Sequence, residues 1–88
     1  MNESWQEIIN QFPKNTVIKA KVQEHKHYGL LLDIESDPFI GFVPITEIRE
    51  SAITMDEFPK VNSYVKVLIM DYSLDDRMQV WMSIKKAI

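Results

Sequence analysis

The sequence predicts an all-β fold: one five-stranded Greek-key barrel with a short N-terminal helix and a short helical excursion after the third strand. Three observations predict it. Apolar and polar residues alternate with a period of two in most of five short runs. Compact polar or proline-bearing turns separate these runs, with one longer gap after the third. The chain has 88 residues, 45% of them hydrophobic, which is enough for one core and too little for two.

The first element is the exception to the period of two. Ser4 and Glu7 have the spacing of a capping box, and Trp5, Ile8, Ile9 and Phe12 follow at i, i+3, i+4 and i+7 as one apolar stripe. Pro13 ends the helix. Residues 1–13 are thus read as a helical extension and 14–88 as the barrel domain. So short a helix needs a docking surface, either the barrel behind it or a partner protein. The first strand follows, with Ile18, Ala20 and Val22 inward and Lys19 and Lys21 outward, before a polar connection over residues 24–27. Tyr28 to Ile34 is the second strand, with Gly29 placed for a bulge or tight coil. Ser36, Asp37 and Pro38 form a turn. Phe39 to Ile45 is the third strand, which Pro44 confines to an edge or ends. Residues 46–59 form an acidic, partly helical excursion in which Thr46 is a candidate cap. Tyr64 to Met70 is the fourth strand, with Val65, Val67 and Ile69 on one face. Ser73 to Asp76 is a turn. Met78 to Ile84 is the fifth strand, with Trp81 on the outward parity and a place under the N-terminal helix open to it.

Composition excludes several functions. There is no cysteine, so disulfides, thiol catalysis and cysteine-based zinc sites are absent. The N-terminus is acidic and polar rather than basic and apolar, and no run approaches a membrane span. A cytoplasmic, membrane-free and monomeric protein is expected, and Met1 with the short C-terminus suggests a stand-alone chain. His25 and His27 share a face of an extended chain, close to Glu24 and Asp33, but a solvated turn explains them better than zinc. Asp75 and Asp76 read as turn residues. No nucleophile–base arrangement and no phosphate-cradling glycine loop is visible. No cofactor, metal or catalytic residue is expected. The net charge is −3, unevenly spread: residues 14–27 hold four lysines against one glutamate, whereas residues 28–59 hold seven acids against Arg49.

Several motifs resemble, in order, a repeat of the ribosomal protein S-one family of RNA-binding domains, which are OB-fold barrels. They are Trp5 with Phe12-Pro13, Val17 to Val22, Tyr28-Gly29 through Asp33, Gly41 to Ile48, Val65 to Ile69, and Met82 to Lys85. The sequence departs from the family at Leu31, where a second aromatic is usual, and at Pro44, where histidine is common. Asn15 and Asn62 stand where glycines are usual. The family's acidic residue after the fourth strand matches Asp71 or Ser73, and the arginine of its last hairpin matches Arg77.

The resemblance implies a non-catalytic module that binds single-stranded RNA through stacked aromatics and lysine–phosphate contacts. Tyr28 is the expected platform, with Phe42 beside it if Val43 and Ile45 face the core; Phe42 in the core is the competing reading. Leu31 occupies the second platform position. Lys19 and Lys21 are expected to flank the platform, and Lys66, or Lys85 with Lys86, to add charge from the other side. His27 is a candidate phosphate contact. The alternative is a protein-interaction module on a barrel with weakened RNA binding, docking through the acidic segment 47–57 or the N-terminal helix.

Overall fold

A computed structural model of the chain describes residues 3–73 and 77–87. Helix α1 (Glu3–Gln11) precedes β1 (Val17–Lys26), β2 (Gly29–Ser36), β3 (Phe39–Pro44), β4 (Tyr64–Ser73) and β5 (Gln79–Ser83), with two 3-10 turns, Ile45–Glu47 and Met55–Glu57, between β3 and β4. The strands close into a barrel in the order β1-β2-β3-β5-β4. Every pairing is antiparallel except β3 with β5. This is the expected all-β barrel.

The inward residues are those that alternation selects. Val22, Leu30, Leu32, Val43, Val67, Ile69, Val80 and Met82 are fully buried. Register breaks between Val22 and Glu24, Leu32 and Ser36, and Ile69 and Asp71 mark bulges, the device that bends strands sharply enough to close a small ring. Several boundaries differ from the sequence reading. β1 runs on through Glu24 to Lys26, because the bulge lets it keep pairing with β2, and the turn shrinks to His27 and Tyr28. β4 extends to Ser73, so that residue is strand and not turn; Asp75 and Asp76 lie outside the described residues. β3 stops at Pro44, which lacks a ladder donor, and Ile45 opens the first 3-10 turn. Thr46 sits within that turn and caps nothing; Thr54 forms a capping box with Glu57 instead.

The two ends of the barrel are closed by different means. At one end α1 lays Trp5, Ile8 and Phe12 into the core. Trp5 meets Phe39 edge-on at 4.7 Å, and the Tyr72 hydroxyl donates to the Phe12 carbonyl at 2.5 Å. The stripe is therefore occupied by the chain's own barrel and is not free to dock a partner. The helix begins at Glu3, so Ser4 lies inside its first turn and not ahead of it. At the other end the excursion contributes Ile48 and Phe58. His25 pins it, donating from Nε2 to the Pro59 carbonyl at 2.8 Å with its ring against Phe58. That corrects the reading of His25 as a solvated turn residue. Among the described residues no helix is long and apolar enough to cross a membrane.

Asn15 and Asn62 have left-handed backbones, with φ of 69° and 74°. Asparagine tolerates this region better than other non-glycine residues, so it does here what glycine would do. Asn62→Gly should leave stability unchanged, whereas Asn62→Ala should cost about 1 kcal/mol. In thermal melts that is a fall of roughly 4–8 °C, and equal melting of the two variants would contradict the assignment.

Candidate nucleic-acid interface

Outward-facing residues form a continuous row across the strands. Glu24 pairs with Leu31, Leu31 with Phe42, Phe42 with Trp81, and Trp81 with Asp71. Tyr28, in the β1–β2 turn, leans onto Phe42 with ring centroids 5.7 Å apart. Trp81 meets the Phe42 ring edge-on at 5.2 Å. Phe42 is only 6% exposed yet does not belong to the core cluster, because the rings of Tyr28 and Trp81 help to cover it from outside. The three rings form one cluster, with Tyr28 58% exposed and Trp81 half-buried. Trp81 packs here and not under the helix.

Gly29 makes this arrangement possible. Its φ of +155° disfavours any L side chain, and a Cβ would overlap the Val43 carbonyl and lie 3.1 Å from Phe42 Cε1. Without that Cβ, β2 and β3 approach closely and the Phe42 ring fits beneath Tyr28. Pro44 stands opposite Gly29, half-buried. His27 is exposed in the same turn as Tyr28.

Asp71 borders the row beyond Trp81. The bulge at Met70 shifts parity, so Asp71 faces outward opposite Trp81; Ser73 shares that parity opposite Gln79 but is buried. The Tyr72 N–H donates to the Asp71 carboxylate at 2.8 Å, and Lys14 forms an ion pair with it at 3.2 Å. The Tyr72 N–H, and secondly Lys14, hold its pKa below the usual carboxylate range. Arg77 is exposed just ahead of β5.

The lysines lie elsewhere. Lys19 is directly opposite Lys66, and Lys21 opposite Tyr64, on the outer face of β1 and β4. Lys21 is five residues, about 16 Å of strand, from the hairpin end that carries Tyr28. Lys85 and Lys86 pair with Glu50 and Glu47. The structure thus sets Tyr28 and Leu31 beside Phe42, Phe42 and Asp71 beside Trp81, and His27 in the turn with Tyr28, and it groups Lys19, Lys21 and Lys66 with Tyr64 on another face. The sequence reading did not assign Trp81 or Tyr64 to a site. Outward parity was the available signal for both. The β3–β5 parallel pairing that seats Trp81 against Phe42 leaves no local mark in a sequence. Among the described residues no group of three or more histidine, aspartate or glutamate side chains could hold a metal.

A family model described as the S1 RNA binding domain matches residues 11–83. No curated protein sequence matches the chain. Among solved structures, GSP13 from Bacillus subtilis superposes with a TM-score of 0.72 at 21% identity, over 84% of this chain and 56% of that one. A chain of the a/eIF2alpha-aDim2p-rRNA complex from Pyrococcus horikoshii gives 0.72 at 16% identity, over 85% and 45%. The intact alpha subunit of aIF2 from Pyrococcus abyssi gives 0.67 at 18% identity, over 83% and 28%. The chain therefore spans only about half or less of the length of these neighbours, and at such identities the likeness establishes the fold.

The border of the site carries a pH test. A carboxyl whose folded pKa is depressed stabilises the fold above its unfolded pKa, and that contribution is lost as pH falls through the folded value. In an NMR titration the Asp71 carboxyl should have a midpoint below the usual aspartate value of about 3.9. Lys14→Gln should raise the midpoint while leaving it depressed, because the Tyr72 N–H remains. A midpoint at or above the usual value in the unmodified protein would refute this account.

Proposed function

The chain belongs to the S1 RNA binding domain family, and we propose that it is a non-catalytic module that binds single-stranded RNA, with Tyr28 and Trp81 as stacking platforms joined by Phe42. The Tyr28–Phe42–Trp81 cluster carries this reading. A base stacked on an aromatic side chain contributes about 1–3 kcal/mol, largely independent of sequence. Leu31 beside Phe42 extends the apolar floor where the family usually has a second ring, and Trp81 supplies the ring from the neighbouring strand. Asp71, ionised and outward beside Trp81, can accept hydrogen bonds from base amino groups or from the ribose 2′-hydroxyl, the group that separates RNA from DNA. The rRNA named in the complex of one structural neighbour is in keeping with such a ligand.

The cations around this face are few. Lys14 is engaged by Asp71, and Lys26 by Glu24 at 2.8 Å. Binding at the cluster is therefore dominated by stacking, and a short strand held there should show a shallow dependence on salt.

With a labelled short oligoribonucleotide, anisotropy should report saturable binding that Tyr28→Ala and Trp81→Ala each weaken about tenfold or more, as loss of one stacked base implies. Phe42→Ala should weaken it at least as much, because it undercuts both rings. No binding even at low salt would sink the proposal.

A further inference from the structure

The outer face of β1 and β4 holds a second arrangement that the aromatic cluster does not use. Three cross-strand pairs face outward there in succession: Val17 with Leu68, Lys19 with Lys66, and Lys21 with Tyr64. Tyr64 is 65% exposed, more than Tyr28. Like charges placed directly opposite each other destabilise a sheet.

The ion pairs of the chain sharpen the contrast. Lys14, Lys26, Arg49, Lys85 and Lys86 each have an acidic partner. Lys19, Lys21, Lys60 and Lys66 have none among the described residues, and three of these four share the outer face of β1 and β4. Asp33, opposite Lys21, instead accepts from the Glu35 N–H at 2.8 Å. Three lysines without an ion-pair contact, of which Lys19 and Lys66 face each other and Lys21 has Asp33 on its other side, stand beside an exposed phenol ring, and these are the elements of a single-strand contact: point charges for phosphates and one face for a base.

In the ring order β1-β2-β3-β5-β4, the β1–β4 pair lies across the barrel from β3, which carries Phe42. The geometry points to a second RNA-contact surface formed by Tyr64, Lys19, Lys21 and Lys66, engaged by the same strand only when it is long enough to pass around the barrel from the Tyr28–Phe42–Trp81 cluster. This rests on the reading of that cluster as the primary RNA site. The barrel is 20–23 Å across its two shorter directions, so a strand of about four nucleotides fills one face, whereas one of about sixteen, the upper end of OB-fold footprints, reaches both.

The test uses labelled single-stranded oligouridylates of about four and about sixteen nucleotides, with the full chain and three variants. Tyr64→Ala should weaken binding of the longer strand about tenfold and leave the shorter unchanged. Lys19→Gln with Lys66→Gln should lower the log–log salt slope for the longer strand by about 1.4, again sparing the shorter. Tyr28→Ala should weaken both. The lysine variant should melt at the same temperature or higher, because a repulsive pair has been removed, so a loss of binding is not a loss of fold.

Unchanged binding of the longer strand in both patch variants overturns the second surface while the primary site stands, and an acidic protein face becomes the occupant to seek. Equal losses on both lengths overturn it in another way, by merging the lysines into the primary site. Patch variants that act while Tyr28→Ala does nothing would overturn the cluster as primary site, and with it the wrapping path. A chain that binds neither length overturns both.

Discussion

The seam between β3 and β5 is the constraint on which the other features rest. These strands run parallel, so the chain must leave β3, cross the excursion and β4, and return before the ring can close. Only the pairing of Ile40, Gly41 and Phe42 with Gln79, Val80 and Trp81 makes five strands a barrel rather than an open sheet. Met78 enters β5 in a left-handed conformation, with φ of 51°, and its carbonyl accepts from the Ile40 N–H at 3.1 Å. The same register puts Phe42 beside Trp81 on the outside and Gly41 beside Val80. A side chain on Gly41 would press at 3.1 Å on Leu32 and Met82, so a glycine keeps this part of the interior narrow enough to fill. Closure and the aromatic cluster are thus consequences of one register.

A small chain without disulfides must also seal the ends of such a ring. α1 does so with a tryptophan, an isoleucine and a phenylalanine. The other end is sealed by the excursion, which is bound to the C-terminal end of the chain through Glu47. Its carbonyl accepts from the Ile84 and Lys85 N–H groups, both at 3.0 Å. Its carboxylate accepts from the fully buried Ser83 hydroxyl at 2.7 Å and pairs with Lys86. Among the described residues no buried side-chain polar atom lacks a partner. A buried hydroxyl next to a carboxylate would be expensive if either were unpaired, so these contacts account for Ser83 within an otherwise apolar end of the barrel.

Alternation made the five strands legible, because one buried face and one wet face force a period of two. It also put Trp81 on the outward parity, and Phe42 there on condition that Val43 and Ile45 faced the core, and the stripe of Trp5, Ile8 and Phe12 marked the helix. Three things were not legible. A bulge adds one residue and reverses the parity beyond it, so the outward turn of Asp71 after Met70, like the continuation of β1 beyond Val22, cannot be read from spacing. The occupant of Phe42's outer side depends on a strand nearly forty residues later. The lysines of β1 look like neighbours of Tyr28 in a linear reading, but β1 turns away and shares its outer face with β4. Which strand lies beside which is set by closure of the ring, a global condition that no local pattern encodes.

The acidic balance of the chain looks hostile to a polyanion, but charge acts locally, within about a Debye length of 8–10 Å at ordinary salt. Of the seven acids between residues 28 and 59, Glu47, Glu50 and Glu57 are already opposed by Lys86, Lys85 and Arg49, at the end of the barrel that the excursion closes. Their field is largely cancelled before it reaches the strands. Lys19 and Lys66 face each other across β1 and β4, and Lys21, with Asp33 across the β1–β2 ladder, forms no ion pair among the described residues; all three project from a regular sheet face rather than a loop. The net charge of −3 therefore describes the molecule at long range, where it disfavours indiscriminate attraction to nucleic acid. At contact distance the barrel presents an aromatic cluster on one side and a lysine-bearing face on the other. Under the proposed function, weak attraction at long range combined with stacking at contact would favour unpaired bases over duplex, because only an unpaired base could offer its face to Tyr28 or Trp81.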